Sequence, residues 1–171
     1  MTLGIGNTVT IDGSGTNQVT ANGGFNLITA GAGADTLIAS GQNNEVIAGA
    51  GQTTIDNGSA AATGPSNELT FLPGIATDQL WFLQSGNDLR IDVMGTEDEV
   101  TIANWFGSVG NTLNDIATSD GSQIDSQISQ LVQAMATFET NNPGFDPTAA
   151  GNSVVPNDPT LQTALAAAWH H

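Results

Sequence analysis

The chain has 171 residues, with a single Lys or Arg against 17 Asp and Glu, a formal net charge of −16 and no Cys. That balance excludes a binder of nucleic acid or of anionic membranes, which needs cationic side chains to meet phosphate, and the missing Cys excludes a disulfide framework or a thiolate metal site. Charged residues make up only 11% and apolar ones 39%, so the surface is built from Asn, Gln, Ser, Thr and Gly around a modest core, and disorder throughout is not expected.

The N-terminal MTLGIGNTVTIDGSG has no basic residue ahead of an apolar stretch and does not read as a Sec-type signal peptide. No apolar run reaches the roughly 18–20 residues of a membrane span. This leaves the cytoplasm, or export by a route that does not read the N-terminus. Residues 4–57 divide into nine-residue units: GIGNTVTID, GSGTNQVTA, NGGFNLITA, GAGADTLIA, SGQNNEVIA and GAGQTTIDN. The third place holds Gly6, Gly15, Gly24, Gly33, Gln42 and Gly51; the seventh holds Thr10, Val19, Ile28, Leu37, Val46 and Ile55. The first unit is off by one, with Val9 and Ile11 flanking Thr10. A period of nine fits neither a 3.6-residue helix nor a heptad; it fits a short strand followed by a Gly-rich turn. One such unit cannot bury its own apolar face, whereas stacked units can. With two units per coil, residues eighteen apart superpose, so Val19, Leu37 and Ile55 line one inner wall and Ile28 and Val46 the other. A flexible linker does not hold a mostly β-branched residue in fixed register.

Residues 58–67, GSAAATGPSN, read as a loop. Strand signals follow in ELTFL (68–72), QLWFLQ (79–84), NDLRIDVM (87–94) and EVTIANWF (99–106). Leu89, Ile91 and Val93 alternate with Arg90 and Asp92, the period of a half-buried strand. Ser85-Gly86-Asn87-Asp88 and Gly95-Thr96-Glu97-Asp98 read as hairpin turns. Together these segments predict a small antiparallel unit that closes the solenoid, with Trp81, Phe82, Trp105 and Phe106 in its core. Ile124, Ile128, Leu131, Val132, Met135 and Phe138 have helical spacing, Ser122 and Asp125 resemble a capping box, and Pro143-Gly144 stops the helix. Residues 141–157 read as irregular. A last helix is predicted from Asp158 as N-cap and Pro159 at the first position, with Leu161, Leu165 and Trp169 as its stripe. The chain thus reads as mainly β, in three parts: nonapeptide coils at 1–58, a hairpin cap at 59–108 and a helical tail at 109–171.

Catalysis has little support, and the chain does not read as an enzyme. It has no Cys, no Lys and no internal His, and no Ser has an evident base to activate it. Nothing sets two carboxylates opposite each other in a cleft. Glu97-Asp98-Glu99 reads as a solvated turn, and Asp88 and Asp92 around Arg90 as an exposed ion pair of small worth. The adjacent His170 and His171 lack the further ligands of a zinc site.

The nonapeptides resemble the repeats-in-toxin (RTX) family, whose unit is Gly-Gly-x-Gly-x-Asp-x-apolar-x. AGAGADTLI at 30–38 matches best, with Gly31, Gly33, Asp35 and Leu37 in place. Residues 76–106 resemble the hairpin region that follows such repeats, and LVQAMATF and LQTALAAAWHH resemble the uncleaved tail of proteins exported by type I secretion. The resemblance implies a right-handed parallel β-roll with Ca²⁺ in its turns, an extracellular location, and passage through a type I secretion channel as a partner. Candidate calcium ligands are Asp35 with Gly31, Gly33, Asn17, Asn26 and Asn44, because Ca²⁺ takes six to eight oxygens from carbonyls and carboxylates. The Asp place reads Thr8, Asn17, Asn26, Asp35, Asn44, Thr53, so one carboxylate remains. The competing expectation is that Asn17, Asn26 and Asn44 hydrogen-bond their own turns and their stacked neighbours, and that the roll has exchanged ions for amides.

The coils begin close to Met1 with no polar cap ahead of them, and an uncapped coil presents unpaired strand edges and apolar side chains. The expected function is a secreted structural protein that self-associates head to tail, through Val9, Ile11, Val19 and Ile28, into an extracellular fibre or matrix layer. A heterologous contact that does not close makes a filament. The alternative is the C-terminal calcium-responsive folding and secretion module of a larger RTX exoprotein, a hydrolase or an adhesin.

Overall fold

Each nine-residue unit becomes one short strand and one turn. A computed structural model describes residues 1–58, 67–107 and 109–171. The strands of the repeat segment are β1 (Thr2–Leu3), β2 (Thr8–Thr10), β3 (Asn17–Ala21), β4 (Leu27–Thr29), β5 (Ala34–Ala39), β6 (Glu45–Ala48) and β7 (Gln52–Asp56). Then come β8 (Glu68–Phe71), β9 (Leu80–Ser85), β10 (Asp88–Val93), β11 (Glu99–Ile102), β12 (Asp115–Ala117), β13 (Gln123–Ile124), and the helices α1 (Ile128–Asn141) and α2 (Pro159–Ala168). Successive strands of the repeats fall alternately into two sheets. One runs β1-β3-β5-β7-β11-β10-β9 and the other β13-β12-β8-β6-β4-β2.

The repeat strands pair in parallel at the spacing that two units per coil requires. Val19 registers with Leu37 and Leu37 with Ile55 in the first sheet, and Ile28 with Val46 in the second. Alternate residues point inward, so Val19, Leu37, Ile55, Ile28 and Val46 are buried between the sheets, with Ala21, Ala39 and Ala48 beside them. The fold is a parallel β-roll, mainly β, followed by an antiparallel hairpin and two C-terminal helices.

The roll differs from the sequence reading in three places. In the first unit Val9, not Thr10, registers with Ile28, nineteen residues on. The rungs also continue past the repeats. β8 pairs in parallel with β6, setting Leu69 on Val46, and β12 pairs in parallel with β8, setting Ile116 on Leu69. β11 likewise stacks on β7, with Ile102 on Ile55. ELTFL is therefore a rung of the roll and not part of the hairpin unit, in which only β9, β10 and β11 run antiparallel. A period of eighteen cannot register a rung that follows a longer connection. Most of the expected loop, residues 59–66, lies outside the described residues, as does residue 108 at the expected second boundary. Finally, the first helix starts later than predicted, with Gln127 at its N-cap. Ile124 belongs to β13 and pairs with Ile116, and Ser122 is buried with its carbonyl accepting from Thr118 N at 2.9 Å. The Ser122–Asp125 pair is thus no capping box. Asp158 does cap α2, its Oδ1 accepting from Thr160 N at 2.8 Å and Leu161 N at 3.2 Å.

The C-terminal end of the roll is closed by aromatic packing. Trp81 and Phe82 are fully buried. The Trp81 ring meets Phe138 at 5.9 Å and Phe145 at 4.8 Å, and its Nε1 donates to Glu139 Oε1 at 2.8 Å. Phe82 packs edge-on against Trp169 at 6.2 Å. Beyond α2, the backbone of His170 pairs with Gln123, N to O at 3.0 Å and O to N at 2.8 Å, and so covers the outer edge of β13.

Candidate functional site

The turns stack as the strands do, in two rows. One row precedes β2, β4 and β6 and continues at Asn67, ahead of β8; the other precedes β3, β5, β7 and β11. Within each row backbone lies on backbone. A Cβ on Gly33 would stand 1.8 Å from Gly15 O, and one on Gly24 would stand 2.2 Å from Gln42 O. That contact leaves no room for a side chain at Gly24 or Gly33. Along the first row the superposed residues Gly6, Phe25 and Asn43 take the left-handed conformation, with φ of 70°, 61° and 56°; Gly6 falls in this column because the first unit is one residue out of step.

The residues at the Asp place divide between the rows. Asn17 and Asp35 lie in one, with Gly31 and Gly33; Asn26 and Asn44 lie in the other. Along the first row Asn26, Asn44 and Asn67 are buried and Asn7 stands at its start. Asn26 Oδ1 accepts from Asn7 N and Nδ2, both at 2.9 Å. Asn44 Oδ1 accepts from Asn26 N at 3.0 Å and Nδ2 at 2.8 Å. Asn67 Oδ1 accepts from Asn44 N at 2.8 Å and Nδ2 at 3.2 Å. Sequence reasoning missed both ends of this ladder. Asn7 stands where the column assigned Thr8, because the first unit is one residue out of step, and Asn67 follows the longer connection. The available signal was an Asn immediately ahead of each of the strands at 8–10 and 68–71.

The second row keeps the carboxylate. Asp35 is 2% exposed; its Oδ1 accepts from Asn17 Nδ2 at 2.9 Å and its Oδ2 from Gly31 N at 3.0 Å. One rung further, in register with Asp35, Thr53 Oγ1 is buried without a hydrogen-bond partner. Beside these turns lies an open polar cleft of about 330 Å³ lined by Ser14, Gly33, Gly51, Gln52, Glu97 and Asp98. Asp98 is not simply solvated: its Oδ1 accepts from Gly51 N at 2.7 Å and ties the hairpin to the roll. A buried carboxylate and an orphaned hydroxyl are oxygen donors of the kind a hard cation takes; Asp35 and Thr53 would hold it, the Asp35 oxygens exchanging their N–H partners for the ion. Among the described residues no three Asp, Glu or His side chains converge on one point, so backbone carbonyls would have to complete the shell. The Asn7–Asn67 row offers no carboxylate, its oxygens being those of amides.

Arg90 is buried deeper in a network than the sequence implies. Its Nε lies 2.6 Å from Asp92 Oδ1 and 3.1 Å from Glu99 Oε2. Asp92 is fully buried and its Oδ2 has no partner. Burial pushes the Asp92 carboxyl above its usual range, against the hydrogen bond from Arg90. Asp88 takes no part in this pair; its Oδ1 accepts from Asn104 N at 2.7 Å. Of the residues expected to mediate self-association, Ile11, Val19 and Ile28 are buried. Val19 and Ile28 lie in strands already covered by β1 and β2. Val9 is half-buried in the outermost strand.

Sheets, turn rows and the closed end define a capped parallel β-roll with polar stacked turns. Residues 11–46 and 20–55 match the RTX calcium-binding nonapeptide repeat (4 copies), and residues 88–127 match the Haemolysin-type calcium binding protein related domain. The chain therefore carries RTX-type repeats, the repeats of secreted calcium-binding proteins, and calcium is the ion they support. Among the described residues no helix is long and apolar enough to cross a membrane.

Proposed function

We propose that the chain is a secreted, non-enzymatic structural module that self-associates through the first coil of its roll. The observation that supports this reading is the difference between the two ends. At the C-terminal end, Phe82 N–H is taken by Met135 Sδ of α1 at 3.0 Å, and His170 occupies the edge of β13. At the other end β1 and β2 are the outermost strands of their sheets. There Met1 is 63% exposed and Val9 is half-buried. Free edges and half-covered apolar residues take up a further rung.

Two first coils stacked on each other give a closed pair. A head-to-tail extracellular fibre or matrix layer additionally requires the next copy to displace His170 and stack on β13. Calcium held at Asp35, in the row that contains Gly31, Gly33 and Asn17, stabilises the rungs near the open end by mass action. Export through a type I secretion channel, with the α1–α2 tail as signal, accords with repeats of this kind. The closed C-terminal end equally supports a second reading, in which the chain is the calcium-responsive folding and secretion module of a larger RTX exoprotein and the preceding repeats stack on its open coil.

Sedimentation and electron microscopy of the purified chain, with and without calcium, separate these readings. Self-association predicts assemblies that grow with concentration and are lost in Thr8→Lys/Thr10→Lys, which charges the free edge. A monodisperse monomer at high concentration in both conditions contradicts it and leaves the second reading.

A further inference from the structure

We infer that the Asn7–Asn26–Asn44–Asn67 row does with amides what bound ions do in a calcium roll, so that this side of the fold forms without calcium. The inference is separate from the calcium reading at Asp35, which concerns the other row. It starts from which atom faces which. In the steps from Asn7 to Asn67, each Oδ1 accepts from the backbone N–H of the preceding Asn, at 2.9 Å, 3.0 Å and 2.8 Å. A backbone N–H only donates, so the atom facing it must be the amide oxygen, and the orientation of each side chain is fixed by the ladder.

The nitrogen is thereby turned onto carbonyls. Asn26 Nδ2 meets Gly4 O and Gly23 O, both at 2.9 Å. Asn67 Nδ2 meets Gly41 O at 2.9 Å and Ala39 O at 3.2 Å, and also the Oδ1 of buried Asn57. These turn carbonyls are the oxygens a cation would need, and N–H groups already fill that role. The Oδ1 atoms of Asn26, Asn44 and Asn67 each accept two hydrogen bonds, and the row has no negative charge to offset the dehydration of an ion. Amide and ion are alternatives at one position.

Aspartate at the same places reverses the balance. It has no N–H for the Gly4 and Gly23 carbonyls, it points its own oxygens at them, and it stacks like charges on neighbouring rungs. At neutral pH a cation between the rungs reconciles those groups, the other escape being protonation of the carboxyls. The choice of Asn therefore makes this row indifferent to the calcium concentration, while the Asn17–Asp35–Thr53 row retains a carboxylate and an unpartnered hydroxyl. A calcium response of the roll is one-sided.

The test is the double variant Asn26→Asp/Asn44→Asp in the full chain. Thermal unfolding is followed in chelator and in millimolar calcium, and bound calcium is counted by equilibrium dialysis. The wild-type roll is expected to be folded in chelator. The variant should lose roughly 10 °C or more of its melting midpoint in chelator, regain it with calcium, and bind more ions than the wild type. A wild-type roll that unfolds in chelator overturns the inference, as does a variant equally stable in chelator and binding no extra calcium. Should the double variant fail to fold in either condition, Asn44→Ala decides: it should lose the same stability with and without calcium, and a loss seen in only one condition overturns the inference. Asp35→Asn removes the response of the other row and leaves these outcomes unchanged, so the two readings fail independently.

Discussion

The repeat coils and the C-terminal cap bury side chains of very different size. Between the sheets of the coils lie Val19, Leu37, Ile55, Ile28 and Val46 with Ala21, Ala39 and Ala48, and each inner strand pairs with the strands above and below it. The cap buries Trp81 and Phe82 completely and adds ring contacts from Phe138, Phe145 and Trp169. A buried aromatic removes about 150–250 Å² from water, at about 25 cal/mol per Å². One cap residue thus contributes several times what an inward Ala does. The rungs, by contrast, hold together through backbone pairing and polar turn ladders, and in a one-dimensional stack stability passes from neighbour to neighbour. The cap is the reservoir of hydrophobic stability; the coils are a polar-latched extension of it.

The sharpest challenge to that comparison is Trp81→Ala. It empties a fully buried site and removes the bond to Glu139, and a loss of about 3–5 kcal/mol is expected in chemical denaturation. The coils should unfold in the same transition; a separate transition in which they survive would break the comparison. Gly33→Ala acts on the coils instead. Its Cβ would meet Gly15 O at 1.8 Å, forcing two rungs apart at about 1–3 kcal/mol. Hydrogen exchange should rise in β3 and β5 while β9 and β10 keep their protection. Phe25→Gly is expected to stabilise. Phe25 is 68% exposed and sits at φ 61°, where Gly6 occupies the equivalent turn, so relief of left-handed strain should outweigh the entropy of glycine by up to about 1 kcal/mol. The melting midpoint should rise slightly and calcium should not alter the gain.

The smallest effect is electrostatic. Glu45, Glu68 and Asp115 stand in register on three adjacent strands of the second sheet. Burial pushes Glu68 up, and the charges of Asp115 and Glu45 push it further. Burial also raises Asp115. The folded state therefore holds these protons more tightly than the unfolded state. Their contribution is most favourable below the ordinary carboxylate range and declines as pH rises through the raised values. Asp120 has the opposite sign: hydrogen bonds from Ser122 and Thr118 lower it to about 2. What it contributes is present at neutral pH and lost as pH falls from the usual Asp range toward that value. Glu68→Gln should flatten the loss of stability on the approach to neutrality, measured as melting midpoint against pH.

What the sequence made legible was whatever local spacing controls. Parallel stacking of equal coils demands a constant count between superposed residues, so Val19, Leu37 and Ile55 could be placed in advance. The Asp35 turn and the Asp158 cap were legible for the same reason, being set by residues a few positions apart. The slip at Asn7 and Val9 was visible as an irregularity but not resolvable, because one unit alone has no register. The rungs at Leu69 and Val100 were not legible as rungs: an alternating strand looks alike whether its partner runs parallel or antiparallel. Asp92 reads as exposed in an alternating strand, yet the segment after α1 folds back over it, with Gly95 N bonded to Pro147 O at 2.9 Å. Cover of that kind, like the pairing of His170 with Gln123, depends on contacts distant in sequence and leaves no local pattern.

Hydrogen exchange of the wild-type chain in chelator, resolved to the strands at 27–29 and 45–48, goes most directly to the stacked, amide-latched roll. Slow exchange of the Asn26, Asn44 and Glu45 amides, comparable with that of β9 and β10, is the predicted result. Free exchange of those amides in chelator, with protection appearing only on addition of calcium, would contradict it.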